Sequence, residues 1–202
     1  VNINPNIRKL KSDYPIDDSQ SPISIANFNA VGGSTILYSG HFPRFHPSDF
    51  KTKTLDNVGS DWPFTYKDLE QYYKINDEIM KVAGLEGDPA YPLIKNLLPP
   101  IPLGLSGEII AKSFNKLGWH WWPSYSAVSI TKRKNKYTRS TVDLTYWKKA
   151  IHNGVELRPN CRVIKIVVNK FGKVDGVIYK DHNNKEKLQK ASLIILACNG
   201  IG

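Results

Sequence analysis

The sequence has only two cysteines and no long apolar run. Cys161 and Cys198 are too few for a disulfide framework or a cysteine-rich metal site, and we expect no metal centre. We expect both to be buried free thiols, which slightly favours a reducing compartment such as the cytoplasm and leaves the localisation open. The longest apolar run, Leu193 to Cys198, is far shorter than a bilayer span, so no transmembrane segment is predicted.

Acidic residues are also scarce relative to basic ones. There are 28 lysines and arginines against 18 acidic residues, with a formal charge of +10 and a pI near 9.5. Most of the basic residues are scattered, and the one cluster, Thr131 to Arg139, is expected to be a solvated loop. A basic module that binds nucleic acid or another polyanion remains an alternative, but no zinc-finger, RNA-recognition or basic-zipper pattern accompanies the cluster, so nucleic acid is not the favoured partner.

The remaining composition is that of a folded domain. Of the 202 residues, 41% are hydrophobic, which suffices for one domain or for one domain with a subdomain. Three segments combine helical periodicity with start and stop signals. They are a helix capped by Thr65 with Asp68 and stopped at Gly84, a helix over Ser106–Leu117, and a helix over Thr141–Asn153 capped by Ser140 with Asp143.

The last fifty residues change to a strand-like pattern rich in valine and isoleucine. Residues 155–169, 172–181 and 187–200 are predicted to be strands joined by tight turns. Within the last of these, "LIILAC" (193–198) is continuously apolar, which predicts a strand buried on both faces, as in a parallel sheet. Three predicted helices precede these strands, and helices together with a buried parallel strand are expected in the α/β class.

A glycine pair with hydroxyl residues interrupts the first third of the chain. "VGGST" covers residues 31–35. By itself this pattern fits any tight turn. It also fits a site where bare backbone approaches a bulky anionic cofactor, with Ser34 and Thr35 donating hydrogen bonds to phosphate or ring oxygens.

Six segments together resemble one enzyme family. They are "NAVGGSTILYSGHFPRFHPSDF", "DWPFTYKDLEQYY", "GWHWWPS", "STVDLTYWKKAI", "GVELRPNCRVIKI" and "LIILACNGIG". In order and rough spacing they resemble the GMC (glucose-methanol-choline) oxidoreductases, on the gluconate-dehydrogenase and pyranose-oxidase side of the family. The resemblance implies an FAD/NAD(P)-binding, Rossmann-like fold with helical and loop insertions. Residues 1–202 would be a partial FAD-binding domain, because the family's GxGxxG unit and its carboxy-terminal catalytic part are absent from this sequence.

The resemblance also implies which residues contact the cofactor. The "GGST" segment would lie along the FAD pyrophosphate and the edge of the isoalloxazine ring, Val163 would hold the adenine end, and the closing strand would turn beside the dinucleotide. The residues concerned are Gly32, Gly33, Ser34, Thr35, Val163, Ala197, Cys198, Asn199 and Gly200. Pyranose oxidase has a flavin-linking histidine where this chain has Leu37, so the FAD is expected to be non-covalent.

The implied activity is the oxidation of a CH–OH group in a sugar, polyol or other alcohol, with hydride transfer to the flavin. The resemblance leaves the electron acceptor open among oxygen, a quinone and a cytochrome subunit. It assigns the catalytic base to a histidine outside this sequence, and it gives no warrant for His41 or His46; His120 is expected to be a packed, hydrogen-bonded side chain. The 202 residues alone are therefore expected to be inactive, and a non-catalytic relic of the fold is a further alternative.

Overall fold

A computed structural model describes residues 17, 19–23, 30–131 and 136–198. The chain divides into two compact units, Val1–Asn153 and Gly154–Gly202, each of which is described by itself. Residues 1–27 are polar and contain Pro5, Pro15 and Pro22, which predicts an extended arm with turns, and most of them lie outside the described residues. Within the described residues, no helix has both the length and the apolar character needed to cross a bilayer.

The first unit contains four described helices and one β-hairpin. The helices are α1 (Thr52–Asp56), α2 (Tyr66–Met80), α3 (Gly104–Leu117) and α4 (Tyr146–His152), and the hairpin strands are β1 (Val128–Thr131) and β2 (Lys136–Arg139). Two short 3₁₀ turns, Gly33–Ile36 and Pro47–Phe50, precede α1.

Helix α2 begins where its capping box predicts. The carboxylate of Asp68 accepts hydrogen bonds from the backbone N–H and the hydroxyl of Thr65, each at 2.8 Å, and these bonds hold the pKa of Asp68 below its usual range. The helix ends at Met80, earlier than expected, because Lys81 adopts a left-handed conformation with φ 53°. Gly84 does not end the helix; glycine is needed there because a Cβ would lie 2.4 Å from the ring of Tyr125.

The bounds of the other two helices were predicted with different success. Helix α3 begins two residues before Ser106 and ends at Gly118 in the left-handed conformation, as its stop signal predicts. Helix α4 is shorter than expected, because residues 142–145 form turns and the helix begins only at Tyr146. The capping box expected between Ser140 and Asp143 is wrong, and no side-chain hydrogen bond caps α4 at Thr145.

The described residues of the basic cluster, Thr131 and Lys136–Arg139, lie in paired strands and not in the loop expected of them. Strands β1 and β2 pair in antiparallel register from Val128 opposite Arg139 to Thr131 opposite Lys136. Valine, isoleucine, threonine and tyrosine recur in these strands, and their β preference outweighs the charge pattern. Residues 132–135 lie outside the described part of the chain.

The core of the first unit lies around the end of α2. Its buried residues are Met80, Val82, Ile94, Tyr125 and Ala127. The extended segment 125–127 lies at the centre of this core. Its backbone forms hydrogen bonds with Gly40 and Phe42 on one side and with Ala83 on the other. The stretch that follows the "GGST" turn is thereby tied to the centre of the unit.

The second unit is a three-stranded antiparallel sheet. Its strands are β3 (Arg162–Val168), β4 (Val174–Lys180) and β5 (Glu186–Lys190), in the order β3-β4-β5. The two predicted turns are confirmed. Asn169 Oδ1 accepts from the N–H groups of Phe171 and Lys173, and Asp181 Oδ1 accepts in the same way from Asn183 and Lys185.

The prediction that "LIILAC" is a buried parallel strand is wrong for this structure. Residues 193–198 form no strand, and Leu193, Ile195 and Leu196 are 75%, 80% and 72% exposed. All pairings between named strands of the described residues are antiparallel, so none of them offers this segment a parallel neighbour that would satisfy its backbone and cover its side chains. Cys198 is also exposed and Cys161 half-buried, although both thiols are free as expected.

A methyl group added at Gly176 is expected to destabilise this sheet. A Cβ at Gly176 would lie 2.3 Å from the backbone oxygen of Gln189, in the neighbouring strand. We expect Gly176→Ala to cost roughly 1–3 kcal/mol and to accelerate hydrogen exchange at the β5 amides, because only backbone movement relieves the overlap. Gly172→Ala, whose Cβ would meet no described atom within 4 Å but would be strained at φ 76° in the β3–β4 turn, is the control for strain without overlap. Equal exchange at β5 in both variants would contradict the assigned β4–β5 register.

Candidate functional site

The "GGST" segment forms a tight turn in the first unit. Gly32 and Gly33 both have positive φ, 95° and 57°, and Gly33 N–H donates to the carbonyl of Ala30 at 2.8 Å. The 3₁₀ turn that follows places the N–H groups of Leu37 and Tyr38 on the carbonyl oxygen of Ser34, each at 3.1 Å. Two consecutive residues in the left-handed region explain the glycine pair, since residues with a Cβ rarely adopt this conformation.

The two glycines face different surroundings. A Cβ on Gly32 would lie 3.2 Å from three atoms of Asp143, so the missing side chain lets the chain near Asp143 pack against the turn. A Cβ on Gly33 would meet no atom of the described residues within 4 Å. Among the described residues, the side of the turn at Gly33 is therefore open, and the exposed residue Ser34 is its neighbour.

The hydroxyl of Thr35 is engaged inside the protein. It donates to the carbonyl of Gly32 at 2.6 Å and accepts from the N–H of Val142 at 3.2 Å. Its one proton is thus committed to the backbone of its own turn, and the hydroxyl has no donor left for a phosphate.

Tyr38 connects the same two parts of the chain. Its hydroxyl donates to the carbonyl of Ser140 at 2.6 Å, and the guanidinium of Arg139 donates to the carbonyl of Tyr38. Burial raises the pKa of Tyr38, against the opposing charge of Arg139, so the phenol stays a donor at neutral pH.

The histidines near the turn have structural partners. His41 Nδ1 lies 2.8 Å from the hydroxyl of Ser124. His46 caps the turn at Pro47–Phe50 by accepting from Ser48 N–H at 3.3 Å, and its Nε2 is bonded to the carbonyl of Ala90. The expectation that His120 is hydrogen-bonded and packed is confirmed in part: its Nε2 lies 3.1 Å from Asp88 and its ring stacks on Trp122, but half of its side chain is exposed.

A buried ion pair anchors the segment after the turn to α2. The guanidinium of Arg44 donates to Asp77 Oδ2 from Nε at 3.0 Å and from Nη2 at 2.6 Å, and to the hydroxyl of Tyr66 at 2.9 Å. Arg44 is 5% exposed and Asp77 7%. Burial raises the pKa of Asp77 and the hydrogen bonds from Arg44 act in the opposite direction.

The other predicted cofactor residues belong to the second unit. Val163 lies on β3 opposite Tyr179, next to a bulge, and its side chain is 56% exposed. Ala197 and Cys198 are exposed at the end of the described chain, and Asn199 and Gly200 lie outside the described residues. In the first unit the predicted residues Gly32 to Thr35 form one turn, while the cofactor contacts of all nine residues stay predictions.

Comparison with known proteins decides the family. A family profile described as GMC oxidoreductase matches residues 18–202, which is nearly the whole chain. The chain belongs to the GMC oxidoreductase family. The matched profile is that of the family's amino-terminal domain, which binds FAD, so FAD is the cofactor of this part of a GMC oxidoreductase. The family also implies a Rossmann-like flavoprotein fold, of which the described residues are a mixed part with helices and antiparallel sheet.

Curated relatives of this GMC oxidoreductase chain are dehydrogenases and an oxidase. It is 35% identical to 2-methyl-1,2-propanediol dehydrogenase of Mycolicibacterium austroafricanum, over 98% of the chain and 39% of that protein. It is 23% identical to the fructose dehydrogenase large subunit of Gluconobacter japonicus and 21% identical to 6'''-hydroxyparomomycin C oxidase of Streptomyces lividus, in each case over 85% of the chain and 35% of the relative. The chain therefore spans about two fifths or less of the length of these relatives.

The turn at Gly32–Ser34 fits an FAD in its chemistry. A Cβ at Gly33 would meet no atom of the described residues within 4 Å, so the backbone is accessible there, and the exposed Ser34 is adjacent. Bare backbone beside a hydroxyl residue is a surface that a bulky anionic group can approach closely. The residues present thus fit the cofactor that the family binds.

Sequence reasoning missed two features of this site. One is the buried pair of Arg44 and Asp77. Its signal was an aspartate at helical spacing between Tyr73 and Met80, in a stripe that is otherwise apolar. The other is the contact of the turn with residues 139–143, which are about 100 positions away in sequence. No local pattern indicates such a contact.

Proposed function

We propose that the protein carrying this chain is an FAD-dependent enzyme that oxidises a CH–OH group of a small polyol or sugar. The proposal rests on the family match over residues 18–202, on the open glycine turn, and on relatives that are named as a diol dehydrogenase and a fructose dehydrogenase subunit. The relative with 35% identity favours a vicinal diol as the first substrate class to examine.

Two of the predicted residues receive distinct roles in this proposal. Gly33 lets the FAD approach the backbone, and Ser34 donates to one of its oxygen atoms. Val163 and the residues from Ala197 to Gly200 are proposed to hold the adenine end and the neighbouring part of the dinucleotide, as the family resemblance implies. When bound, FAD accepts the hydride that leaves the alcohol carbon.

Turnover of deuterated substrates tests the proposed function. The protein carrying this chain should reduce an artificial electron acceptor in the presence of a vicinal diol, a hexose or a simple alcohol, and deuterium on the carbinol carbon should slow the reduction of the flavin. A folded protein that contains FAD but oxidises no member of the panel would be a non-catalytic relic, which contradicts the proposal.

The attachment of the FAD gives a separate prediction. Leu37 has no nucleophilic atom at the position where pyranose oxidase has its linking histidine. We therefore expect acid precipitation to release all of the flavin into the supernatant. Yellow colour that stays with the precipitated protein would show a covalent bond to another residue.

A further inference from the structure

Residues 139–143 contact the glycine turn through four interactions that are distant in sequence. Val142 N–H donates to Thr35, Tyr38 donates to Ser140, Arg139 donates to the carbonyl of Tyr38, and Asp143 packs against Gly32. These interactions extend from Gly32 to Tyr38, two residues after the 3₁₀ segment. No atom of the described residues covers the side of the turn at Gly33.

The segment 139–143 is itself held firmly. Ser140 N–H donates to the carbonyl of Ala127 at 2.8 Å, and Ala127 is fully buried in the core. On one side the segment continues from β2, and on the other it leads into α4, where the Tyr146 hydroxyl donates to Asn76 of α2 at 2.6 Å. A segment fixed at both ends can define the conformation of a turn that contacts it.

The hydroxyl group of Thr35 is hydrogen-bonded within the protein. A hydroxyl group has one proton, and that of Thr35 is donated to Gly32, within the same turn that accepts the Val142 contact. The residue next to it, Ser34, is exposed. The hydroxyl of Thr35 therefore links the turn to residue 142.

We infer that Thr35 and Tyr38 are positioning residues for FAD, through which residues 139–143 set the conformation of the Gly32–Ser34 turn. Thr35 makes no direct contact with the cofactor. This inference rests on the proposed role of the turn in binding FAD. It changes the expected role of Thr35 from that of a ligand to that of a link between the turn and the core.

The test compares four variants with the unchanged protein that carries the chain, and one of them, Tyr38→Phe, removes the hydroxyl group that bonds Ser140. Thr35→Val removes the hydroxyl group and keeps the branched shape, and Thr35→Ser keeps the hydroxyl group. Thr138→Val, at an exposed threonine of β2, is the matched control. Two quantities are measured: the Kd for FAD, and hydrogen exchange at the amides of Leu37 and Tyr38 in the FAD-free protein, since both amides bond Ser34 within the turn.

The inference predicts that Thr35→Val accelerates exchange at Leu37 and Tyr38 without FAD and weakens FAD binding about tenfold. Thr35→Ser and Thr138→Val should leave both quantities near those of the unchanged protein, and Tyr38→Phe should resemble Thr35→Val. Weaker FAD binding with unchanged exchange would make Thr35 a direct ligand and overturn the inference. Faster exchange with an unchanged Kd would overturn it as well. Absence of FAD binding by the unchanged protein would instead defeat the proposed function.

Discussion

Gly33→Val should abolish tight FAD binding in the protein that carries this chain while leaving it folded. A Cβ at Gly33 meets no described protein atom within 4 Å, and the proposed function places the cofactor in the space that it enters. Direct overlap with FAD, together with strain at φ 57°, should cost on the order of 3 kcal/mol or more in FAD affinity. This corresponds to about 100-fold or more in Kd. Ser34→Ala should cost roughly 1–2 kcal/mol, as expected for one lost hydrogen bond.

Gly118→Val is the matched control for backbone strain. Gly118 ends α3 with φ 68°, and a Cβ there also meets no described atom within 4 Å. It should lower stability by about 1–2 kcal/mol, through strain alone, without changing the FAD content per folded molecule. Gly32→Ala is expected to affect folding as well, since its Cβ would lie 3.2 Å from Asp143. If the folded Gly33→Val protein keeps its full FAD content, the glycine turn has no role in binding the cofactor.

Arg44→Met should destabilise the first unit more than any other single change considered for it. The change leaves the carboxylate of Asp77 buried without its partner and removes the donor to the hydroxyl of Tyr66. Breaking a buried ion pair on one side costs about 3–5 kcal/mol. Native-state hydrogen exchange at the amides of α2 measures this loss directly.

Two further variants show whether the cost arises from the unpaired charge. Lys74→Met removes the same kind of partner from the exposed pair with Glu70 and should cost less than about 1 kcal/mol. Arg44→Met combined with Asp77→Leu should recover much of the stability lost in the single variant, because no charge then remains buried.

The pH dependence of the Arg44→Met variant has a definite sign. Burial without Arg44 raises the pKa of Asp77 above its unfolded value, so the destabilisation is greatest at neutral pH and shrinks as the pH falls through that raised pKa. A cost that does not change with pH would indicate lost packing instead of an unpaired charge.

The sequence predicted best those elements whose signals are local. The capping box of Thr65 and Asp68 and the left-handed glycine at the end of α3 each lie within a few residues of the helix that they delimit. The turn at Asn169 follows the same rule, since its side chain bonds amides two and four residues further on.

The errors occur where contacts outside the segment decide the structure. Residues 140–145 have a helical start signal, but Ser140 bonds Ala127 and Tyr38, and Val142 bonds Thr35, so the helix begins only at Tyr146. Segment 193–198 has the composition of a buried strand and lacks, among the described residues, the strands that would bury it. For the candidate site, the glycine turn was found from its residues, whereas its contact with residues 139–143 required the structure.

The visible absorption spectrum during anaerobic mixing with alcohols shows directly whether the protein that carries this chain is an FAD-dependent alcohol oxidoreductase. The protein that carries this chain should be isolated with the two absorption bands of oxidised flavin, and these bands should bleach when a vicinal diol or a sugar substrate is added without oxygen. In the Gly33→Val variant the bands should be absent from the folded protein. A colourless wild-type protein, or a flavin spectrum that no alcohol or sugar bleaches, would contradict the account.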